Sequence, residues 1–65
     1  MTYTLQAFYP MSAPRMVERL PTIHFARRQA SHLLDDGART VMLYRREGDE
    51  QEPKYRFIES VEREN

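Results

Sequence analysis

The residues best suited to chemistry in this chain are two histidines and an arginine, His24, Arg28 and His32, which follow one another at intervals of four. Histidine titrates near neutral pH, so such a pair beside a cation is compatible with acid–base cleavage of a phosphodiester, as in small ribonucleases. On a helix, however, eight residues span about 12 Å, which is too far for two imidazoles to act on one phosphorus atom. Helical histidines that share a metal are instead four residues apart. We therefore predict a solvated polar helix face, with no catalytic residue and no metal ligand.

The sequence carries no other motif of a catalytic or cofactor site. It has no cysteine and no G-x-S-x-G motif, and its two glycines are too few for a phosphate-binding loop. The acidic segment 47–53 lacks the spacing of a calcium loop, and we interpret it as a solvated hairpin tip. Arg45 and Arg46 precede it, which predicts a cross-strand charge pair. The expectation is a non-enzymatic protein without a cofactor.

Chain length points to self-association. Sixty-five residues make one domain, which we place at residues 1–61, with a frayed tail at 62–65. A domain of this size buries only about 60% of the surface of its unfolded chain. Small domains compensate with disulfides, a metal or a partner subunit. Because the sequence offers no cysteine and no convincing set of metal ligands, we expect a homodimer.

Charge is balanced overall but polarised along the chain. The formal net charge is zero, yet residues 1–34 carry a net +3 and residues 35–65 a net −3. A neutral chain is not typical of a general polyanion binder. Nine of the ten basic residues are arginine, and this composition suggests a prokaryotic or phage-type accessory protein. No signal-peptide pattern and no long apolar segment is present, so we expect a cytoplasmic location.

The spacing of apolar residues predicts an amphipathic helix at about residues 22–36. The i, i+3, i+4, i+7 pattern places the following side chains on one face: Ile23, Ala26, Ala30, Leu33 and Leu34. Thr22 is a favourable N-cap. Gly37 suits the left-handed position that follows a helix.

Strands are predicted on both sides of this helix. Alternation and β-branched or aromatic residues indicate strands at 2–9, 39–46 and 54–61, although the end of the last segment also fits a helix. Residues 10–14 read as a loop. Residues 15–20 fit a strand or a single helical turn, and we favour the strand. The expected fold class is α+β, a small antiparallel sheet in the order β-β-α-β-β or β-α-β-β, with the helix packed on one face.

The same patterns suggest where a partner would bind. One helix covers one face of such a sheet, but the strands carry apolar side chains on both faces. We therefore expect a homodimer or another protein partner at the uncovered face. The candidate partner-binding residues are four on that face and one on the helix: Phe8, Met42, Tyr44 and Arg46, with Phe25. Phe25 falls on the polar side of the helix and is expected either to fold back on Leu20 or to be exposed.

Nucleic acid is the alternative partner. Sheet aromatics could stack on bases, beside a basic patch of four arginines: Arg15, Arg19, Arg27 and Arg28. A ribonuclease or toxin based on His24 and His32 is a third hypothesis, and it ranks below the other two.

Overall fold

The computed structural model describes residues 1–63, which form a four-stranded antiparallel sheet and one helix. The elements are β1 (Thr2–Tyr9), β2 (Ser12–Leu20), α1 (Ile23–Asp35), β3 (Thr40–Gly48) and β4 (Pro53–Glu62). Their order in the sheet is β2-β1-β3-β4, so β1 and β3 are central and β2 and β4 are the edges. The helix packs on one face of the sheet. The predicted fold class is confirmed, in its β-β-α-β-β form.

Residues 15–20 belong to a strand, and the alternative of a helical turn is wrong. This strand begins earlier than predicted, because the chain turns at Pro10 and Met11 and enters β2 at Ser12. Pro14 can lie in β2 because one side of an edge strand has no ladder to maintain. The pairing of β2 with β1 also shifts register twice, so this edge is irregular.

The helix begins and ends within one residue of its predicted bounds. Thr22 precedes it in an extended conformation, and its side chain accepts a hydrogen bond of 3.1 Å from a backbone N–H of the first turn. Gly37 follows it with φ of 116°. The N–H groups of Gly37 and Ala38 donate to the carbonyls of Leu34 and Leu33, the pattern of a Schellman motif. Within the described residues, no helix has the length and apolarity needed to cross a membrane.

The core lies between the helix and the two central strands. Odd-numbered side chains of β1 and β3 face the helix, since successive side chains of a strand alternate between faces. Among the described residues, the buried apolar side chains are Leu5, Ala7, Leu20, Ala26, Ala30, Ala38, Val41 and Leu43. Four of these eight are alanine, so the core is thin. Its small volume agrees with the expectation that a chain of this length has little stability to spare.

The β3–β4 hairpin has a four-residue loop at 49–52, shorter than the predicted 47–53, because Gly48 and Pro53 already pair as strand residues. The Asp49 carboxylate accepts hydrogen bonds of 3.0 and 2.7 Å from two backbone N–H groups later in the loop. This side chain therefore stabilises the turn.

The predicted charge pair between Arg45 and the acidic segment forms, but it is not a cross-strand pair. The guanidinium of Arg45 donates to Glu47, two positions further along the same strand. Both side chains belong to the same face of β3, because residues two apart in a strand do so. The pair therefore forms within β3 and leaves the loop carboxylates out.

The last element is a strand along its whole length, and the alternative of a helical end is wrong. Leu43 pairs with Glu59 and Tyr44 pairs with Phe57, so Ile58 is an extra residue in the ladder. This is a β-bulge. Ile58 packs against the core, whereas its neighbour Phe57 lies on the opposite face of the sheet.

The predicted tail at 62–65 is partly ordered by the sheet. Glu62 is the last residue of β4, and the N–H of Arg63 donates to the carbonyl of Arg39 at 2.8 Å. The remainder of the predicted tail, residues 64 and 65, lies outside the described residues.

Candidate protein-binding surface

The face of the sheet opposite the helix carries the second set of apolar side chains. We call it the open face. The register of the strands assigns to it Thr2, Thr4, Gln6, Phe8, Met16, Glu18, Thr40, Met42, Tyr44, Arg46, Tyr55, Phe57, Ser60 and Glu62. In β1 and β3 these are the even-numbered residues, which alternate with the core residues.

Three aromatic residues form a cluster on the open face. The ring of Tyr44 meets the ring of Tyr55 at a centroid distance of 6.5 Å and that of Phe57 at 5.9 Å, both in edge-to-face geometry. Such pairs contribute about 0.5–1.5 kcal/mol beyond their area of contact. Tyr55 is nevertheless 46% exposed and Phe57 54% exposed. The cluster is therefore held in place and still presents apolar surface to solvent.

A hydrogen bond between Tyr55 and Glu18 links the two edges of the sheet across the open face. The Tyr55 hydroxyl donates to Glu18 Oε1 at 3.4 Å, although β4 and β2 are opposite edges. The side chains of Tyr55 and Glu18 together must then pass over β3 and β1. Thr4 lies in β1 on this face and is fully buried, and its hydroxyl has no hydrogen-bond partner among the described residues. One end of the open face is thus covered by its own side chains.

Beside this crossing lies a shallow cavity of about 240 Å³, lined by Gln6, Met16, Tyr44 and Tyr55. Met16 is 49% exposed. The hydroxyl of Tyr44 lies 3.5 Å from Gln6 Oε1, so the polar groups at the floor already contact each other. Pockets for drug-sized ligands usually measure about 300–1,000 Å³. A single inserted side chain suits this cavity better.

A smaller cavity of about 100 Å³ lies at the Arg46 end of the open face, lined by Glu18, Arg19, Arg46 and Tyr55. Arg19 has φ of 64°, in the left-handed region that non-glycine residues seldom adopt. It lies at one of the two register shifts of β2. The irregular backbone therefore brings a second arginine to the cavity that Arg46 lines.

The structure brings together four of the five predicted partner-binding residues. Phe8, Met42, Tyr44 and Arg46 share the open face. Phe25 lies on the helix, on the other side of the sheet, and is 41% exposed. It is a separate exposed aromatic residue and no part of the same surface.

Sequence reasoning missed three contributors, Met16, Tyr55 and Phe57. Met16 was missed because its segment had two interpretations. The alternation of Tyr55 and Phe57 was visible, but the bulge at Ile58 breaks the phase that would have assigned them to a face. The available signal was that both residues are aromatic and belong to the strand that follows Tyr44, Arg45 and Arg46 in the sequence.

The four arginines proposed for nucleic acid do not form one patch. Arg15 stacks over the ring of Tyr9, 5.1 Å from its centroid, on edge strand β2. Arg27 of the helix forms a bidentate ion pair with Glu59 of edge strand β4, at 3.2 and 2.9 Å. The hydrogen bond and the charge of Glu59 raise the pKa of Arg27 above its usual value. Arg19 lies at a register shift of β2 and lines the smaller cavity, and Arg28 is an exposed helix residue.

The histidine pair lies on the helix as predicted. His24 and His32 are both exposed. Among the described residues, no group of three or more histidine, aspartate or glutamate side chains is placed to hold a metal ion.

Comparison of the chain with protein-family models, with curated proteins and with solved structures finds no match.

Proposed function

We propose that this chain is a small non-enzymatic interaction protein that binds another protein through its open face, and that it associates with itself through the same face. The observation that carries the proposal is the exposed apolar surface around Tyr44. Met16, Tyr55 and Phe57 are each about half exposed there and come from both edges of the sheet. Aromatic residues, methionine and arginine are the side chains enriched in protein interfaces.

The thin core supports the same proposal. Half of the buried apolar residues in the described chain are alanine, so burial within one chain leaves much apolar side-chain surface on the open face. Association stabilises a folded chain by mass action, because a partner that binds only the folded state shifts the unfolding equilibrium. Covering the open face would thus serve binding and stability together.

The proposed setting is the cytoplasm of a prokaryotic cell or of a phage-infected one. Its support is compositional: the chain has no cysteine, and its basic residues are almost all arginine.

The first experiment measures molecular mass by size-exclusion chromatography with light scattering, from low to high micromolar concentration. We expect the mass to rise from one to two chains with concentration. Phe57→Glu should remain monomeric, because it places a charge in the centre of the contact. Phe25→Glu is the matched control, since it changes an exposed aromatic residue on the helix side, and it should behave as the wild type. A wild-type chain that stays monomeric at high concentration would refute self-association.

The second experiment tests the binding of other proteins. Cross-linking to a photoreactive group attached at position 60 or at position 31, both exposed serines, separates the open face from the helix side. Specific adducts should form from position 60 and be lost in the Phe57→Glu background. Adducts from position 31 only would place the binding surface on the helix.

A second candidate partner, single-stranded nucleic acid, is favoured by one observation: two arginines, Arg19 and Arg46, line a cavity with Tyr55, against one carboxylate, that of Glu18. Two guanidinium groups beside an exposed ring suit a phosphate and a stacked base. Binding to oligonucleotides, followed by fluorescence anisotropy, should then weaken steeply with salt and be lost in Arg46→Glu. Binding that is absent at low salt would eliminate this candidate.

A further inference from the structure

The part of the open face on β3 and β4 has two unlike halves. The boundary between the two halves is the position along the strands where Leu43 pairs with Glu59. Towards one end lie bulky and basic side chains: Tyr44, Arg46, Tyr55 and Phe57. Towards the other end lie mostly smaller or acidic ones: Thr40, Met42, Ser60 and Glu62.

The two halves are equally long. Arg46 lies three residues from Leu43 in one direction, and Thr40, whose partner on β4 is Glu62, lies three residues away in the other. At about 3.4 Å per residue, each lies about 10 Å from the dividing level. Within one chain, Arg46 and Glu62 are therefore about 20 Å apart along the strands and cannot form an ion pair.

We propose that a second copy of this chain covers the open face, related by a two-fold axis that lies in the interface and runs across the strands at the level of Leu43. This arrangement rests on the proposed self-association and specifies its geometry. Rotation about such an axis places each strand over the same strand of the second copy, running in the opposite direction. The bulky half of one copy then lies over the smaller half of the other.

The resulting contacts are complementary in size and charge. Phe57 meets Ser60 of the second copy, so the most exposed ring lies over a small side chain. Arg46 meets the region of Thr40 and Glu62, which brings a guanidinium next to a carboxylate. Each contact occurs twice, as in any isologous interface. A two-fold axis along the strands would instead bring the bulky, basic half of each copy to the same level, with Arg46 near Arg46 of the second copy, and like charges repel.

The dimensions of the molecule suit such a dimer. Its principal extents are 37, 24 and 15 Å, and the shortest agrees with one sheet and one helix layer. The two halves together span about 20 Å along the strands, so with the 24 Å width the facing area is on the order of 500 Å² per copy. This is less than the roughly 800 Å² of a standard stable interface, which agrees with the concentration-dependent association expected above. Two sheets that pack face to face align within about 30°, so contacts near the axis keep these neighbours.

The test is an exchange of charges between positions 46 and 62. Arg46→Glu and Glu62→Arg should each weaken dimerisation by about tenfold or more, measured as the dissociation constant by analytical ultracentrifugation. The double variant Arg46→Glu, Glu62→Arg should return to within about threefold of the wild type. Since the two positions are far apart within a chain, recovery requires contact between two chains. Arg56→Glu is the control, because Arg56 pairs with Arg45 on the other face of the hairpin, and it should leave the constant unchanged.

The outcomes separate this arrangement from the self-association on which it rests. If the wild-type chain is monomeric, both are refuted. If the wild type is a dimer that Phe57→Glu disrupts, but the double charge variant stays as weak as the single ones, the open face is the interface and the proposed axis is wrong. Circular dichroism of every variant checks that the fold is intact, so a loss of association can be assigned to the interface.

Discussion

The two faces of the sheet are covered by different elements: α1 covers one face, and side chains of the strands cover part of the other. On the helix side, Leu5 and Val41 are fully buried, because α1 is part of the same chain and closes over them. On the open face, Tyr55 folds across the sheet to reach Glu18, yet Phe57 stays 54% exposed. One short helix therefore covers only half of the apolar side chains in these strands. The buried core is thus concentrated on one face, and the binding that we propose is on the other.

The prediction with the largest expected effect tests whether the helix side of the sheet contributes more to stability than the open face does. Leu43→Ala removes a buried side chain from the helix side and should lower the free energy of unfolding by about 2–5 kcal/mol. Met42→Ala, its neighbour on the open face, should cost about 1 kcal/mol or less. Urea denaturation followed by circular dichroism, at one fixed protein concentration, measures both. Equal losses for the two variants would mean that the open face contributes to stability as much as the core does.

The N-cap of the helix should have the next largest effect. Thr22→Ala removes the acceptor of a 3.1 Å hydrogen bond at the start of α1 and should cost about 1 kcal/mol. Ser31→Ala is the control, because it changes an exposed hydroxyl residue inside the same helix, where alanine is favourable. Thermal unfolding compares the two. If Thr22→Ala unfolds at the wild-type temperature, capping does not limit how firmly the helix covers its face.

A smaller effect is expected from the ion pair that joins the helix to edge strand β4. Arg27 and Glu59 are 50% and 31% exposed, so solvent and salt screen their attraction. Glu59→Gln should therefore destabilise the protein less than Thr22→Ala does. The difference from the wild type should disappear when unfolding is repeated at high salt. A loss that persists at high salt would show that Glu59 acts by packing and not by charge.

The smallest effect on stability is expected on the open face. Tyr55→Phe removes one long hydrogen bond to an exposed carboxylate and should change the free energy of unfolding by no more than about 0.5 kcal/mol. The same variant keeps the ring, so dimerisation should also be retained. Tyr55→Ala should weaken dimerisation, which the sedimentation experiments can measure. If Tyr55→Phe were as harmful to the fold as Leu43→Ala, the open face would belong to the core.

The sequence was sufficient to predict the elements that have their own local signals. Thr22 and Gly37 mark the ends of the helix by cap chemistry, and the alternation in β1 and β3 separates Leu43 from Met42. Local signals do not reveal how two strands shift against each other. The extension of β2 through Pro14 and the bulge at Ile58 depend on pairing with a neighbouring strand. The face occupied by Tyr55 and Phe57 could not be predicted for that reason.

The same limit applies to the candidate surface. Phe8, Met42, Tyr44 and Arg46 were grouped correctly because two regularly paired strands carry them. Phe25 was a separate candidate on the polar side of the helix, and the structure leaves it exposed there, on the other side of the sheet.

The bulge at Ile58 has a consequence for what the hairpin can present. If Ile58 entered the ladder opposite Tyr44, the segment from Pro53 to Phe57 would slip by one position along β3 and turn over, because a one-residue slip reverses the face of every side chain. Ile58 and Arg56 would then take the places of the two aromatic rings on the open face, and Lys54 would lie on the same face opposite Gly48. One stretch of sequence thus encodes an aromatic surface and a cationic one. The placement of a single extra residue selects between them.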